Sequence, residues 1–170
     1  PKDLAKDPGL AEANVDAFLV GLNGDESGAF IEGLGERRWG GRLEKFSSTQ
    51  VKQLMEKGCD FIVFESMDTE GAVLNEEDLG TVVTLSSDLS EEVIRSTCEL
   101  PVDGVLFSPA QRMLPLTVEK LVAIQRVRGL TDKPFIVEAP LGLGQGDLEA
   151  LRNLGVAGLV VDIPPLDQIS

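Results

Sequence analysis

Short apolar runs alternate with amphipathic ones along nearly the whole chain, and four of the apolar runs share one frame. Asn14-Val15-Asp16 precedes Ala17-Phe18-Leu19-Val20-Gly21, and Gly58-Cys59-Asp60 precedes Phe61-Ile62-Val63-Phe64-Glu65. Pro101-Val102-Asp103 precedes Gly104-Val105-Leu106-Phe107-Ser108, and Gly155-Val156-Ala157 precedes Gly158-Leu159-Val160-Val161-Asp162. Each reads as a helix stop, a small apolar residue and then a buried strand. The closing positions Gly21, Glu65, Ser108 and Asp162 recur roughly every 43 to 54 residues, the length that two strand–helix units fill. A second series falls between them at Arg38 to Glu44, Thr81 to Ser86 and Pro134 to Ala139, short runs flanked by turn formers. Seven strands are predicted.

Helical signals stand where the crossover of a parallel strand pair requires them. In Ser47-Ser48-Thr49-Gln50 a capping hydroxyl precedes Gln at the third helical position, Val51, Leu54 and Met55 form a stripe, and Gly58 supplies a left-handed stop. Asp88 with Glu91 predicts a second helix start, Thr117 a third with Val118, Leu121 and Val122 as its apolar positions, and Asp147 a fourth with Leu148, Leu151 and Leu154. The connections Asn23 to Arg37 and Ser66 to Gly80 are rich in glycine or acids and can hold at most a short helix, so loops or single turns are expected there.

Unbroken apolar strands such as Phe61-Ile62-Val63-Phe64 imply burial on both faces, as in a parallel sheet covered by helices. An open doubly wound sheet would carry a Gly-x-Gly-x-x-Gly turn after its first strand, and none stands there. The sustained repeat therefore favours a parallel β/α barrel forming a single domain over residues 1–170. Projecting the intermediate series back by one period puts an eighth strand just upstream of Pro1. Completion by such a segment, or homo-oligomerisation through the open strand edges, is expected.

Composition narrows the partners. A net charge of −14 opposes binding to nucleic acid and to anionic lipid, and the apolar runs are far shorter than a membrane span. Two cysteines without a Cys-x-x-Cys pair, and no histidine at all, suggest neither a zinc site nor a disulfide framework; a cytoplasmic protein is expected.

The stretch from Lys133-Pro134-Phe135-Ile136-Val137-Glu138 through Leu154-Gly155-Val156-Ala157-Gly158-Leu159-Val160-Val161 resembles the last strand–helix–strand unit of TIM-type barrels of the aldolase and phosphate-binding kind. That resemblance implies a fold rather than an activity. Phosphate-binding barrels place glycines after the last two strands. Here those places read Glu138-Ala139-Pro140 and Asp162-Ile163-Pro164-Pro165, which departs from that grip.

In such barrels the chemistry sits at the C-terminal ends of the strands, and here those ends are acidic. Glu44, Glu65, Glu138 and Asp162 close four strands, and Arg42 stands two residues before Glu44, on the same strand face. Converging carboxylates need a cation. The chemistry this favours is a lyase or isomerase reaction on a small anionic substrate. Glu44, Glu65 and Glu138 are its catalytic candidates, Arg42 and Arg112 would hold the substrate's carboxylate, and Glu65 with Asp162 would hold Mg²⁺ or Mn²⁺. The blander alternative pairs Arg42 with Glu44 structurally and leaves a non-catalytic domain that binds a ligand or partner. With no His and no Tyr, proton transfer falls to Asp, Glu, Lys, Cys or metal-bound water. Alternation turns Lys45 away from the side chains of Arg42 and Glu44, and Cys59, at a helix-to-strand junction, reads as core. The glycines before Asp147 form a loop whose helix start already carries a carboxylate, which disfavours an anion there.

Overall fold

A computed structural model describes residues 14–23, 27–65 and 67–162. Its strands are β1 (Phe18–Gly21), β2 (Trp39–Leu43), β3 (Phe61–Phe64), β4 (Gly80–Ser86), β5 (Gly104–Ser108), β6 (Phe135–Ala139) and β7 (Gly158–Val161). They follow one another in sequence order in a single sheet. The helices are α1 (Ser27–Leu34), α2 (Ser48–Glu56), α3 (Glu91–Cys98), α4 (Val118–Arg128) and α5 (Gln145–Asn153), with a 3₁₀ turn at Gly71–Asn75. The chain divides into two compact units, up to Val82 and from Val83 onward.

In the first unit β1, β2 and β3 pair in parallel, with Phe18 opposite Trp39 and Arg42 opposite Val63. Gly41 faces the helices, because a Cβ there would lie 3.6 Å from Leu54 of α2. Alternation then puts Gly40 and Arg42 on the opposite face. A Cβ at Gly40 would sit 2.2 to 2.5 Å from three ring atoms of Phe61, so this glycine is required by the ring beside it. Helix α2 begins as predicted: the Gln50 N–H donates to Ser47 Oγ at 3.3 Å and the Ser47 N–H returns a bond to Gln50 Oε1 at 3.0 Å. A carboxylate reinforces that start, since the Ser48 N–H and hydroxyl both donate to Glu70 Oε2 at 2.8 Å. Gly58 stops the unit's central crossover at φ 80°.

Connection 23–37 departs from expectation. It forms α1, two turns rather than a loop, because Leu34 is buried and Phe30 meets Phe18 edge-on at 6.5 Å. Gly28 and Gly33 lower the intrinsic propensity of this stretch, and tertiary packing overrides it. Among its described residues, connection 66–80 holds the 3₁₀ turn and no longer helix, as expected.

In the second unit β5, β6 and β7 are parallel, with Phe107 opposite Val137 and Glu138 opposite Val160. One face of these strands is dry: Val105, Phe107, Phe135 and Val137 are at most 1 % exposed, and the rings of Phe107 and Phe135 stack at 5.9 Å. Three helix details differ from expectation. Helix α3 is capped by Ser90 and not Asp88, whose carboxylate instead accepts from the Ser86 hydroxyl. Asp147 is the third helical residue of α5, where it accepts from the Gly144 N–H at 3.1 Å; Gly144 is the cap. Thr117 does cap α4, yet Val118 and Val122 are exposed and Ile124 and Val127 are the buried positions, so the inward stripe runs one face further round.

Two measurements check this packing. Gly40→Ala should cost about 1–3 kcal/mol of stability by urea unfolding, because the added methyl collides with Phe61, and Phe61→Leu in the same chain should recover part of the loss; an unaffected single variant contradicts the packing. The Glu70 carboxyl is held below the ordinary carboxylate range by the Ser48 backbone N–H and then by its hydroxyl. A depressed folded-state value means that the contribution is present above the unfolded value and is lost as pH falls through the folded one. Wild type should therefore unfold at higher urea than Glu70→Gln at pH 7, and the gap should close in strongly acidic solution. A gap that persists there contradicts the bond.

Candidate active site at the C-terminal strand ends

In the first unit the C-terminal end of the sheet carries one well-formed ion pair. Arg42 projects from β2 on the face away from the helices, and Glu65 follows β3 two residues after Val63, the register partner of Arg42. The Arg42 Nε and Nη2 donate to Glu65 Oε1 at 2.9 and 2.6 Å. Arg42 thus pairs across strands with Glu65, and the bond joins two of the predicted site residues. Their side chains are 25 % and 43 % exposed, so solvent screens the pair. Glu44 follows β2 directly; its side chain is exposed and its carbonyl accepts from the Glu65 N–H at 3.0 Å. Lys45 is exposed. Cys59 is core, 5 % exposed, and burial pushes its thiol up, which suits a small apolar residue and not a nucleophile. An open cavity of about 230 Å³ lined by Val15, Asp16, Ala17, Phe18, Arg37 and Arg38 lies at the opposite, N-terminal ends of β1 and β2.

In the second unit the predicted residue Glu138 stands near the end of β6, half-buried, and its carboxylate accepts from the hydroxyl of Ser108, the last residue of β5. Register explains the contact. Phe107 is opposite Val137, so the next residues along, Ser108 and Glu138, lie side by side and point to the same face. Around them the strand-end loops are tied together: the Ala110 N–H donates to Ser87 Oγ at 3.3 Å, and Lys120 Nζ donates to the carbonyls of Met113 and Pro115 at 3.3 and 2.7 Å. Leu114 lies beside Gly142, 3.8 Å from where its Cβ would be. Arg112 is exposed on the loop so held, and among the described residues it forms no hydrogen bond or ion pair. Asp162 follows β7 and is exposed.

Sequence reasoning picked out Glu138 but not the serine that holds it. The signal was available, since Ser108 is a closing position of the repeat. Among the described residues, no group of three or more His, Cys, Asp or Glu side chains is placed to hold a metal ion. No helix among them is long and apolar enough to cross a membrane.

No protein-family model matches the chain, and no curated protein does. Solved structures do. A structure described as native KDPGal superposes with a TM-score of 0.63 at 17% identity over 92% of this chain and 74% of its own. The YdjI aldolase from Escherichia coli gives 0.60 at 12% identity, covering 89% of this chain and 66% of that one. A variant tryptophan synthase alpha-subunit from Pyrococcus furiosus gives 0.59 at 13% identity over 78% of this chain and 58% of that one. The fold is a TIM-type parallel β/α barrel. Identities this low carry the fold and no activity. The chain spans about three fifths of the length of the tryptophan synthase alpha-subunits it matches.

Proposed function

We propose that this β/α-barrel chain binds a small carboxylated molecule at the C-terminal strand ends of its second unit and carries out lyase-type proton chemistry on it. The observation that carries the reading is the Ser108 hydroxyl donating to the Glu138 carboxylate at the adjoining ends of β5 and β6. Polar pairs at this end of a parallel barrel are where such folds place their reacting groups. With no histidine or tyrosine in the chain, a half-buried carboxylate oriented by a neighbouring hydroxyl is a suitable proton acceptor.

In this reading Arg112 takes the ligand's carboxylate, for which a guanidinium offers paired donors. Glu138 removes a proton from the carbon next to the ligand's carbonyl: the C–H bond breaks, its electron pair moves into a new C=C bond, and the carbonyl oxygen takes the charge. Return of the proton reverses the step. Arg42 and Glu65 neutralise one another in this account and serve the first unit's strand ends.

Hydroxypyruvate, which carries a carboxylate, a carbonyl and a hydroxyl on three carbons, tests the step. In D₂O the protein should accelerate exchange of its carbon-bound protons, followed by NMR, and Glu138→Gln should reduce that exchange about 10²- to 10⁴-fold. Ser108→Ala should slow it less. Exchange unchanged in Glu138→Gln would remove the assigned role.

A further inference from the structure

Thr84 of β4 is the residue that the fold leaves unexplained. It is 9 % exposed, and its hydroxyl oxygen is buried with no hydrogen-bond partner among the described residues. Buried hydroxyls are nearly always paired, and valine would fill the same space without the desolvation penalty. The neighbours of Thr84 along the strand show which way it points. Thr81, Val83 and Leu85 are at most 2 % exposed and form the dry face of β4, whereas Val82 and Ser86 are half-buried. Alternation places Thr84 on the face of Val82 and Ser86. On β6 the same split separates Phe135, Val137 and Ala139 from the half-buried Ile136 and Glu138. In each strand it is the less dry face that carries the polar residue at the C-terminal end, Ser86 on one and Glu138 on the other.

We infer that the Thr84 hydroxyl is a ligand-binding group at the floor of the second unit's site, where it bonds an oxygen at the inner end of a three- or four-carbon oxo- or hydroxy-acid. The size follows from the strand. Thr84 lies two residues below Ser86, which is about 6.6 Å of strand rise, close to the reach of such a molecule from its carboxylate to its far oxygen. A hydroxyl both donates and accepts, so a ketone, an alcohol or an enolate oxygen satisfies it. Just past the end of the same strand, the bond from the Ala110 N–H to Ser87 Oγ fixes the loop that follows β5 at the rim. The inference rests on the lyase-type reading above for the location of the site, and it adds the ligand's length and the group that reads its inner end.

Calorimetric titration with hydroxypyruvate tests it on wild type, Thr84→Val and Thr84→Ser, together with the melting temperature of each without ligand. Thr84→Val should bind about tenfold more weakly and, relieved of an unpaired hydroxyl, melt about 2–4 °C higher; Thr84→Ser should bind within about threefold of wild type. Thr84→Val binding as tightly as wild type, while Glu138→Gln abolishes proton exchange, overturns the Thr84 assignment and leaves the proposed function standing. Thr84→Val melting lower than wild type also overturns it, because the hydroxyl then has a partner within the protein. If wild type neither binds hydroxypyruvate nor exchanges its protons, the function and this inference fall together.

Discussion

Register between neighbouring parallel strands decides which side chains meet, and in this chain two registers place the polar groups that matter. With Phe107 opposite Val137, Ser108 and Glu138 are adjacent on one face; with Arg42 opposite Val63, Glu65 comes within reach of the guanidinium. A slip of one residue would turn Glu138 toward the packed face, where a carboxylate is costly to bury, and Val137 away from it. The dry contacts of Phe107 and Phe135 oppose that slip, so apolar packing on one face fixes the chemistry on the other.

The two faces also differ in what they tolerate. The dry face is filled by branched and aromatic side chains to near-complete burial, leaving no room for polar variation. The other face is half-buried near the C-terminal ends and holds hydroxyls and acids that are paired with one another, Thr84 excepted. An unpaired buried hydroxyl lowers stability, and such costs are kept where a binding group is needed.

Much of this was legible in the sequence because parallel β/α architecture repeats its signals. All seven strands were read from apolar runs bounded by turn formers, and the Ser47–Gln50 capping box and the Gly58 stop emerged as expected. What escaped is what depends on contacts distant in sequence. Helix α1 forms because Phe30 and Leu34 find partners, which outweighs two glycines in eight residues. The inward stripe of α4 could not be separated from Val118 and Val122 by spacing alone, since apolar residues lie on several of its faces. Among the candidate site residues, Glu138 and Arg42 were found by their place at strand ends. Glu65 was found in the same way; its pairing with Arg42, and the bond from Ser108 to Glu138, required a register, which periodicity does not supply, and the orphaned hydroxyl of Thr84 required three-dimensional burial.

A crystal structure of the protein soaked with hydroxypyruvate tests the central claim most directly. The account predicts the ligand at the C-terminal ends of β4, β5 and β6, with a carboxylate oxygen of Glu138 and the Thr84 hydroxyl both within hydrogen-bonding distance of it and Ser108 still bonded to Glu138. A ligand seated instead at the N-terminal strand ends, beside Arg37 and Arg38, or a Glu138 carboxylate turned away from Ser108 into solvent, would contradict it.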